Sequence, residues 1–479
     1  MIVLASLAVL EAARWGVQIT HSTIGTTPVI TYALPGSEGP PVVVAHGFAG
    51  SQQMMQGYAL PLARAGYVVS VYEFEGHGRN PTPMSGDVDQ IAGTTQLLVD
   101  QTHAVIDAVA RGDTPVTLIG HSMATDILVR VAAMRADIGP VVLISAFSQE
   151  IDAATPKDML LITGAWEAGL RAFAREAVQM VDPNVTEGET AQSGDIRRRA
   201  FAAPFSEHVS ILHARSGRAA ALDWLAPDLP KDLPQSSPLA QAPRIYPTGW
   251  AILGLLGGLV MVFVRLARRL PERPHAADAL SLRQISLAVG LPMLAAPVLA
   301  TQIDTGVLPV LVADYLLVHL LIFGALQLAL LWRFGHRPGH FSALGFAVLG
   351  LGCVLFGMAL DRYAANFWPT VPRIWIIACL MLGAVPYMLS DAMITLHAKW
   401  PLRAAIRTGF LLSLALAVTL EFERLFFLIM IAPVLVLFYL VFGTMGRAVA
   451  WRKGPLCAGL ALGLTLAWAL GVSFPLFQI

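Results

Sequence analysis

Ser122 stands in the stretch TLIGHSMATDI, residues 117–127. An apolar run leads into it and a helix-like segment leaves it. Gly120 and Ala124 flank it two positions away on either side. A serine on such a strand-to-helix turn must adopt a strained backbone, and its flanking positions must be small so that the helix can close on the strand. A hydroxyl held there is suited to nucleophilic attack, provided a base can take its proton. Gly120 meets this requirement fully. Ala124 occupies a position where glycine is commoner, and is small enough, though tighter.

The base must be a histidine late in the chain, on a loop at the carboxyl edge of the sheet. APFSEHVSILHARSG offers His208 and His213. His208 follows a strand-like run, Arg198–Pro204, and a short loop. His213 reads as five residues into the next helix, a structural bystander. The acid that orients the base should follow a strand between the two. MLLITGAWEAG presents Glu167 three residues after Gly164, and Glu150 and Asp152 after the preceding strand are the alternatives. HGFAGS (46–51) is a glycine turn that can aim a backbone N–H at a developing oxyanion. The donors are expected to be the amides of Phe48 and Met123. His46, His77 and His121 read as turn residues that hold loops.

These residues need a scaffold. PVVVAHG (41–47), YVVSVYEF (67–74), VTLIGHS (116–122), PVVLISAF (140–147) and MLLITG (159–164) are near-continuous apolar runs, the pattern of parallel strands buried on both faces. Residues 16–36 alternate instead and read as an antiparallel hairpin. Helices are expected over Gln52–Ala65, Gln90–Val109, Met123–Ala136 and Ala168–Val181, which gives a doubly wound α/β layer architecture. HGFAGS, EFEGHGRN, GHSMA, GAWE and SEHVS together resemble the α/β-hydrolase fold family, closest to its monoglyceride-lipase-like and serine-aminopeptidase-like branch, over roughly residues 16–225. The resemblance implies a mostly parallel sheet and a catalytic triad of Ser122, Glu167 and His208. Three departures stand out: Ala124 for the second glycine, Glu167 for the commoner aspartate, and about a dozen residues between VVLISAF and MLLITG where many relatives insert a cap. A fold without a cap domain is therefore expected.

The rest of the chain is of another kind. LAPDLPKDLPQSSPLAQAPRIYPTG (225–249) holds six prolines and reads as an extended linker. Eight apolar stretches follow, each near the roughly 20 residues that cross a hydrocarbon core as a helix. They are Trp250–Leu266, Ile285–Gln302, Val307–Trp332, Phe341–Leu360, Ile374–Ile394, Ala404–Leu420, Leu425–Met445 and Leu456–Phe474. Only Glu421–Arg424 separates the sixth from the seventh, so one long bent helix is the alternative there. Asp314, His319, Gln327 and Asp391 fall inside spans, where helix-to-helix hydrogen bonding explains them more simply than an ion pathway. All three cysteines, Cys353, Cys379 and Cys457, lie in these apolar runs. The domain plan is thus 1–15, either a signal-anchor or an N-terminal helix; 16–225, the α/β domain; 226–249, the linker; and 250–479, an all-α membrane bundle.

Charge divides along the same boundary. Residues 1–247 hold 16 Lys and Arg against 24 Asp and Glu, and residues 248–479 hold 16 against 8. An acidic first part is a poor nucleic-acid binder. No cysteine–histidine cluster or phosphate loop calls for a metal or organic cofactor, and none is expected. The expected partners are a small-molecule or lipid ester and the lipid bilayer. Basic residues alternate between loops, 13 after the odd-numbered spans against 3 after the even-numbered ones. Positive charge stays cytoplasmic, so the hydrolase part should face outward from a bacterial inner membrane. Protease added to intact spheroplasts should then cut the linker near Lys231. Protection of that linker until the membrane is permeabilised would reverse the topology.

Overall fold

The computed structural model describes the whole chain except residues 88–90, 229–243, 273–278, 304–305 and 479. Most of the expected linker therefore lies outside the described residues, as do Lys231 and the start of the expected helix at Gln90. The chain divides into two compact units. One is Met1–Leu255 with Leu360–Asn366 and Gln478; the other is Leu256–Ala359 with Phe367–Phe477.

The first unit opens with α1 (Ile2–Arg14), β1 (Gln18–Ile24), β2 (Thr27–Ala33), β3 (Pro41–Ala45), α2 (Gln56–Arg64), β4 (Val68–Tyr72) and α3 (Gln96–Val109). It continues with β5 (Val116–His121), α4 (Met123–Met134), β6 (Ile138–Ile144), β7 (Asp158–Gly164), α5 (Ala168–Gln179), β8 (Thr190–Ser193), β9 (Ile196–Ala203) and α6 (Arg215–Leu225). The strands form one nine-stranded sheet in the order β1-β2-β4-β3-β5-β6-β7-β9-β8. Pairing is parallel from β4 through β9 and antiparallel at both edges. The central strands are the continuous Val/Ile/Leu runs, and β3, β5 and β7 are buried almost throughout. Hydrophobic burial on both faces therefore selects the parallel core. Edge strand β1, rich in Gln, His, Ser and Thr, is largely exposed.

The edges and element ends account for the differences from expectation. β8, four residues of TAQS, has no apolar pattern and forms only by pairing with β9 across the Gly194 turn. The sixth strand stops at Ile144 because Ser145 turns to φ +52°. Helix α3 runs from Gln96 after a π-turn over Ile91–Thr95. His213 closes a short 3₁₀ turn, Ser210–His213, and the helix starts only at Arg215. N-terminal α1 is a helix of 13 residues, and Arg64 of α2 donates to the carbonyls of Ala12, Ala13 and Trp15 at its end.

Beyond it lie α7 (Thr248–Ala267), α8 (Leu282–Ala300), α9 (Ala313–Arg333), α10 (Ala343–Tyr363), α11 (Val371–Thr395), α12 (Trp400–Leu420), the one-turn α13 (Phe422–Leu425), α14 (Leu428–Lys453) and α15 (Pro455–Ser473). Among the described residues, eight of these are long and apolar enough to cross a bilayer. The break at Glu421 is real, so α12 and α14 are separate helices. The seventh helix runs past its apolar stretch to Lys453, since nothing stops it before Gly454 at φ +96°. The third starts at Ala313, not Val307; Asp314 accepts from the amides of Val307 and Leu308.

The polar groups within the helices are matched to one another. His319 bonds Tyr315 and Ser413 at 2.9 and 3.1 Å, Ser390 donates to Gln327 at 2.7 Å, and Arg407 pairs with Asp391 at 2.8 Å. Small residues set the spacing between α11 and α15. A Cβ on Gly459 would lie 2.5 Å from Leu389 Cα, and one on Gly463 would lie 2.6 Å from Val385 Cα. Such a pair, four residues apart, allows two backbones to touch. Gly463→Leu should push the helices apart and cost about 1–3 kcal/mol, read as a lower unfolding temperature in detergent. An unchanged unfolding temperature would show that α15 does not depend on this contact.

Candidate active site

The sheet reverses its winding between β3 and β5, which opens a crevice at their carboxyl ends. The turn after β3 and the turn after β5 meet there. A Cβ on Gly47 would lie 3.0 Å from Ser122 Cβ and from His121 Nδ1, so glycine lets the first turn come this close without crowding either residue. Ser122 itself sits at φ +54°, ψ −121°, between the end of β5 and the first residue of α4. Its amide donates to the Ile144 carbonyl at 2.9 Å, and its carbonyl accepts from Thr125. A Cβ at Gly120 would come within 2.8 Å of Leu128 and 3.2 Å of the Ala124 backbone, with Ala124 fully buried against it. Strand and helix thus close around the turn and hold the serine in a conformation that L-residues avoid.

His208 Nε2 lies 2.8 Å from Ser122 Oγ, and His208 Nδ1 lies 2.7 Å from Glu167 Oε1. Three residues from three separate loops stand in one hydrogen-bonded line. Glu167 Oε2 accepts from the Gly164 amide at 2.7 Å and the Ser145 hydroxyl at 2.8 Å. Burial alone would raise the Glu167 pKa, but the hydrogen bonds from His208, Gly164 and Ser145 outweigh it and hold the carboxyl below its ordinary value. The loops of Glu167 and His208 are also laced by backbone: Ala165 N donates to Ala203 at 2.9 Å and Trp166 N to Ser206 at 3.1 Å. The alternative acids are engaged elsewhere. Glu150 pairs with Arg130 at 2.9 Å, and Asp152 accepts from the amides of Ala154 and Thr155.

Phe48 lies in the Gly47–Gly50 turn, where Gly50 N donates to Gly47 at 2.9 Å and Ala49 adopts φ +54°. Met123 is the first residue of α4, so its N–H has no acceptor within the helix. His46 keeps the Gly47 turn in place: its Nδ1–H donates to the Gly47 carbonyl at 2.8 Å, and its Nε2 accepts from Phe74 N at 3.2 Å. It points away from the role of a base. The loops around the line carry exposed Phe147, Trp166, Phe205 and Val209. Phe205 is 83% exposed although it sits at φ +54°. Beside Glu167 an open cavity of about 560 Å³ is walled by Phe147, Leu170 and Phe173.

Ser145 is not evident from sequence, and for His121, expected to hold a loop, the sequence does not tell which loop. Ser145 steadies Glu167 from the end of the neighbouring strand, and only the β6–β7 register brings it there. His121, next to the serine, is 5% exposed, and its Nε2–H donates to the His208 carbonyl at 2.8 Å. Burial, reinforced by nearby His208, lowers its pKa from 6.5 to about 4. His121 therefore holds the His208 loop as a neutral ring.

In the parallel core and the serine turn the chain has the α/β-hydrolase fold. Residues 39–182 match the family described as serine aminopeptidase, S33. Among solved structures, the chain is similar to a predicted CIB-like hydrolase from Thermoplasma acidophilum, with 14% identity over 44% of this chain and 97% of that one, TM-score 0.35. It is similar also to a serine hydrolase involved in carbazole degradation, at 15% identity over 44% and 99% of the two chains, TM-score 0.33. The third is a dienelactone hydrolase from Anabaena variabilis, at 16% identity over 45% and 100%, TM-score 0.33. No curated protein matches the chain.

The neutral state of His121 yields a pH test. As pH falls, the unfolded chain takes up this proton near 6.5 but the folded chain only near 4. Stability tied to His121 is thus complete above 6.5 and is lost between 6.5 and about 4. His213, also lowered to about 4 by burial, adds a similar slope. His121→Phe should flatten part of the dependence of unfolding temperature on pH in this window. It should also lower kcat by roughly tenfold to a hundredfold with KM little changed, since His208 loses its positioning bond. An unaltered pH slope and kcat would remove His121 from the site.

Proposed function

We propose that the chain is a membrane-anchored serine hydrolase that cleaves carboxylic esters, acyl or lipid-like, through an acyl-enzyme intermediate. The observation that carries this reading is the hydrogen-bonded line from Ser122 Oγ through His208 to Glu167, at 2.8 and 2.7 Å. His208 removes the Ser122 proton as the hydroxyl attacks the ester carbonyl. Glu167 fixes the imidazole so that Nε2 faces the serine, and its ionised carboxylate balances the imidazolium that forms. The Phe48 and Met123 amides receive the tetrahedral oxyanion. His208 then returns its proton to the leaving alcohol. A water molecule, deprotonated by the same imidazole, cleaves the acyl-enzyme and frees Ser122.

The apolar side chains on the site's loops support an acyl substrate, and the eight apolar helices support insertion in a membrane, which we take to be a bacterial inner membrane. The basic bias of the loops supports an outward-facing hydrolase unit. A second reading, a peptidase, is favoured by the description of the family that residues 39–182 match. It would use the same three residues, but an aminopeptidase also needs an anionic group for the substrate's ammonium. Glu150 is engaged by Arg130, and Glu207 by the amides of Val209 and Ser210.

Ser122→Ala should abolish labelling by a fluorophosphonate and lower kcat on short-chain esters by roughly 10⁵–10⁶. Glu167→Gln should cost less, about 10²–10⁴, because the base survives with a poorer tautomer. Hydrolysis of p-nitrophenyl esters well above aminoacyl anilides is the expected ranking, and the reverse ranking would establish the peptidase reading. Unchanged labelling in Ser122→Ala would end both.

A further inference from the structure

A cleft of about 740 Å³ in the helical unit is not part of the site described above. Five arginines line it: Arg268 just beyond α7, Arg403 and Arg407 on α12, and Arg447 and Arg452 on α14. Spacing explains why they converge. Trp400, Arg403, Arg407 and Leu411 fall on one face of α12, and Val436, Tyr439, Leu440, Gly443, Arg447 and Trp451 fall on one face of α14, at intervals of three and four residues.

Two features show that the cleft is built around its cations. Gly443 on α14 leaves room for the Arg407 guanidinium, which would lie 3.0 Å from any Cβ placed there. Asp391 grips that guanidinium through both oxygens, at 2.8 and 3.1 Å, and the Tyr439 ring lies 4.6 Å beneath it. Arg452 is paired with Glu272. The other three have no carboxylate partner among the described residues. Arg447 donates to the Ala398 carbonyl at 3.2 Å and lies 5.9 Å from the Trp451 ring centre, and among the described residues its buried Nε has no acceptor. Cations on apolar helices that are not neutralised by the protein attract an anion from outside it.

The cleft is graded along its length. The cationic end carries exposed Trp400 and Trp451, residues that favour the headgroup level of a bilayer. Toward the other end the walls become Leu411, Val436 and Leu440, and the last two are exposed on the side of the bundle. Inorganic phosphate has no use for such walls; an acyl chain does. We propose that this cleft binds one anionic phospholipid, its phosphate on Arg403 and Arg447 and one acyl chain along Val436 and Leu440. The inference rests on the membrane reading of the eight helices, and is independent of the chemistry at Ser122.

The full-length protein, in detergent micelles carrying equal amounts of phosphatidylglycerol and phosphatidylcholine of the same chain length, can be released for native mass spectrometry. One phosphatidylglycerol should be retained over phosphatidylcholine by roughly tenfold or more. The double variant Arg403→Gln/Arg447→Gln should lose that preference, while Arg333→Gln/Arg337→Gln, which removes the same charge from another loop, should keep it. Equal retention of the two lipids by the unmutated protein overturns the proposal without any variant. Displacement of phosphatidylglycerol by millimolar inorganic phosphate would make this a free-phosphate site and also overturn it. The membrane reading fails separately, if alkaline carbonate extracts the chain from membranes.

Discussion

The site depends on the backbone of one residue. Ser122 occupies φ +54° only because strand β5 and helix α4 are drawn together around it. Gly120 and buried Ala124 permit that approach, and Ile144 and Thr125 hold the peptide groups on either side. Strain of this kind persists only where the surroundings over-determine it. Relax the turn, and the hydroxyl leaves the reach of His208. The Gly47 turn, which touches Ser122, and the β6 strand end, which bonds its amide, would lose their reference point as well.

From that turn the rest of the site is assembled by the sheet. Parallel strands β3, β5, β6, β7 and β9 all end at the same edge, so their following loops converge although the residues are far apart in sequence. His208 is 86 residues from Ser122 and 41 from Glu167. Backbone bonds between the Glu167 and His208 loops, the Ser145 hydroxyl and the His121 ring then fix what convergence alone would leave loose. A catalytic group displaced by an ångström can lose about a hundredfold in rate, so these secondary contacts bear directly on function.

The central strands and the eight apolar helices were legible in the sequence because burial on all sides leaves an unbroken apolar record. The serine turn was legible because steric demand restricts its neighbours to small residues. What was not legible depends either on partners distant in sequence or on where a local turn or helix happens to stop. Strand β8 is polar and exists only through its pairing with β9. His213 ends a 3₁₀ turn, and the helix starts two residues later, at Arg215. Helix α14 outruns its apolar stretch because helix formation continues until Gly454 regardless of polarity. Ser145 acquires its role from the register of the sheet, and His121, legible as a loop-holding residue, acquires its partner from the return of a late loop. The basic cleft likewise needs the faces of α12 and α14 and the end of α7 to be brought together before five scattered arginines become one feature.

The central claim, that Ser122 carries the acyl group, is open to direct observation. Full-length protein mixed with a p-nitrophenyl ester and quenched in acid during turnover should carry one added acyl group, by intact mass. Peptide mapping should find it on Ser122. Turnover with the acyl group on another residue, or with no covalent adduct even under conditions where release of the acid limits the rate, would contradict the account.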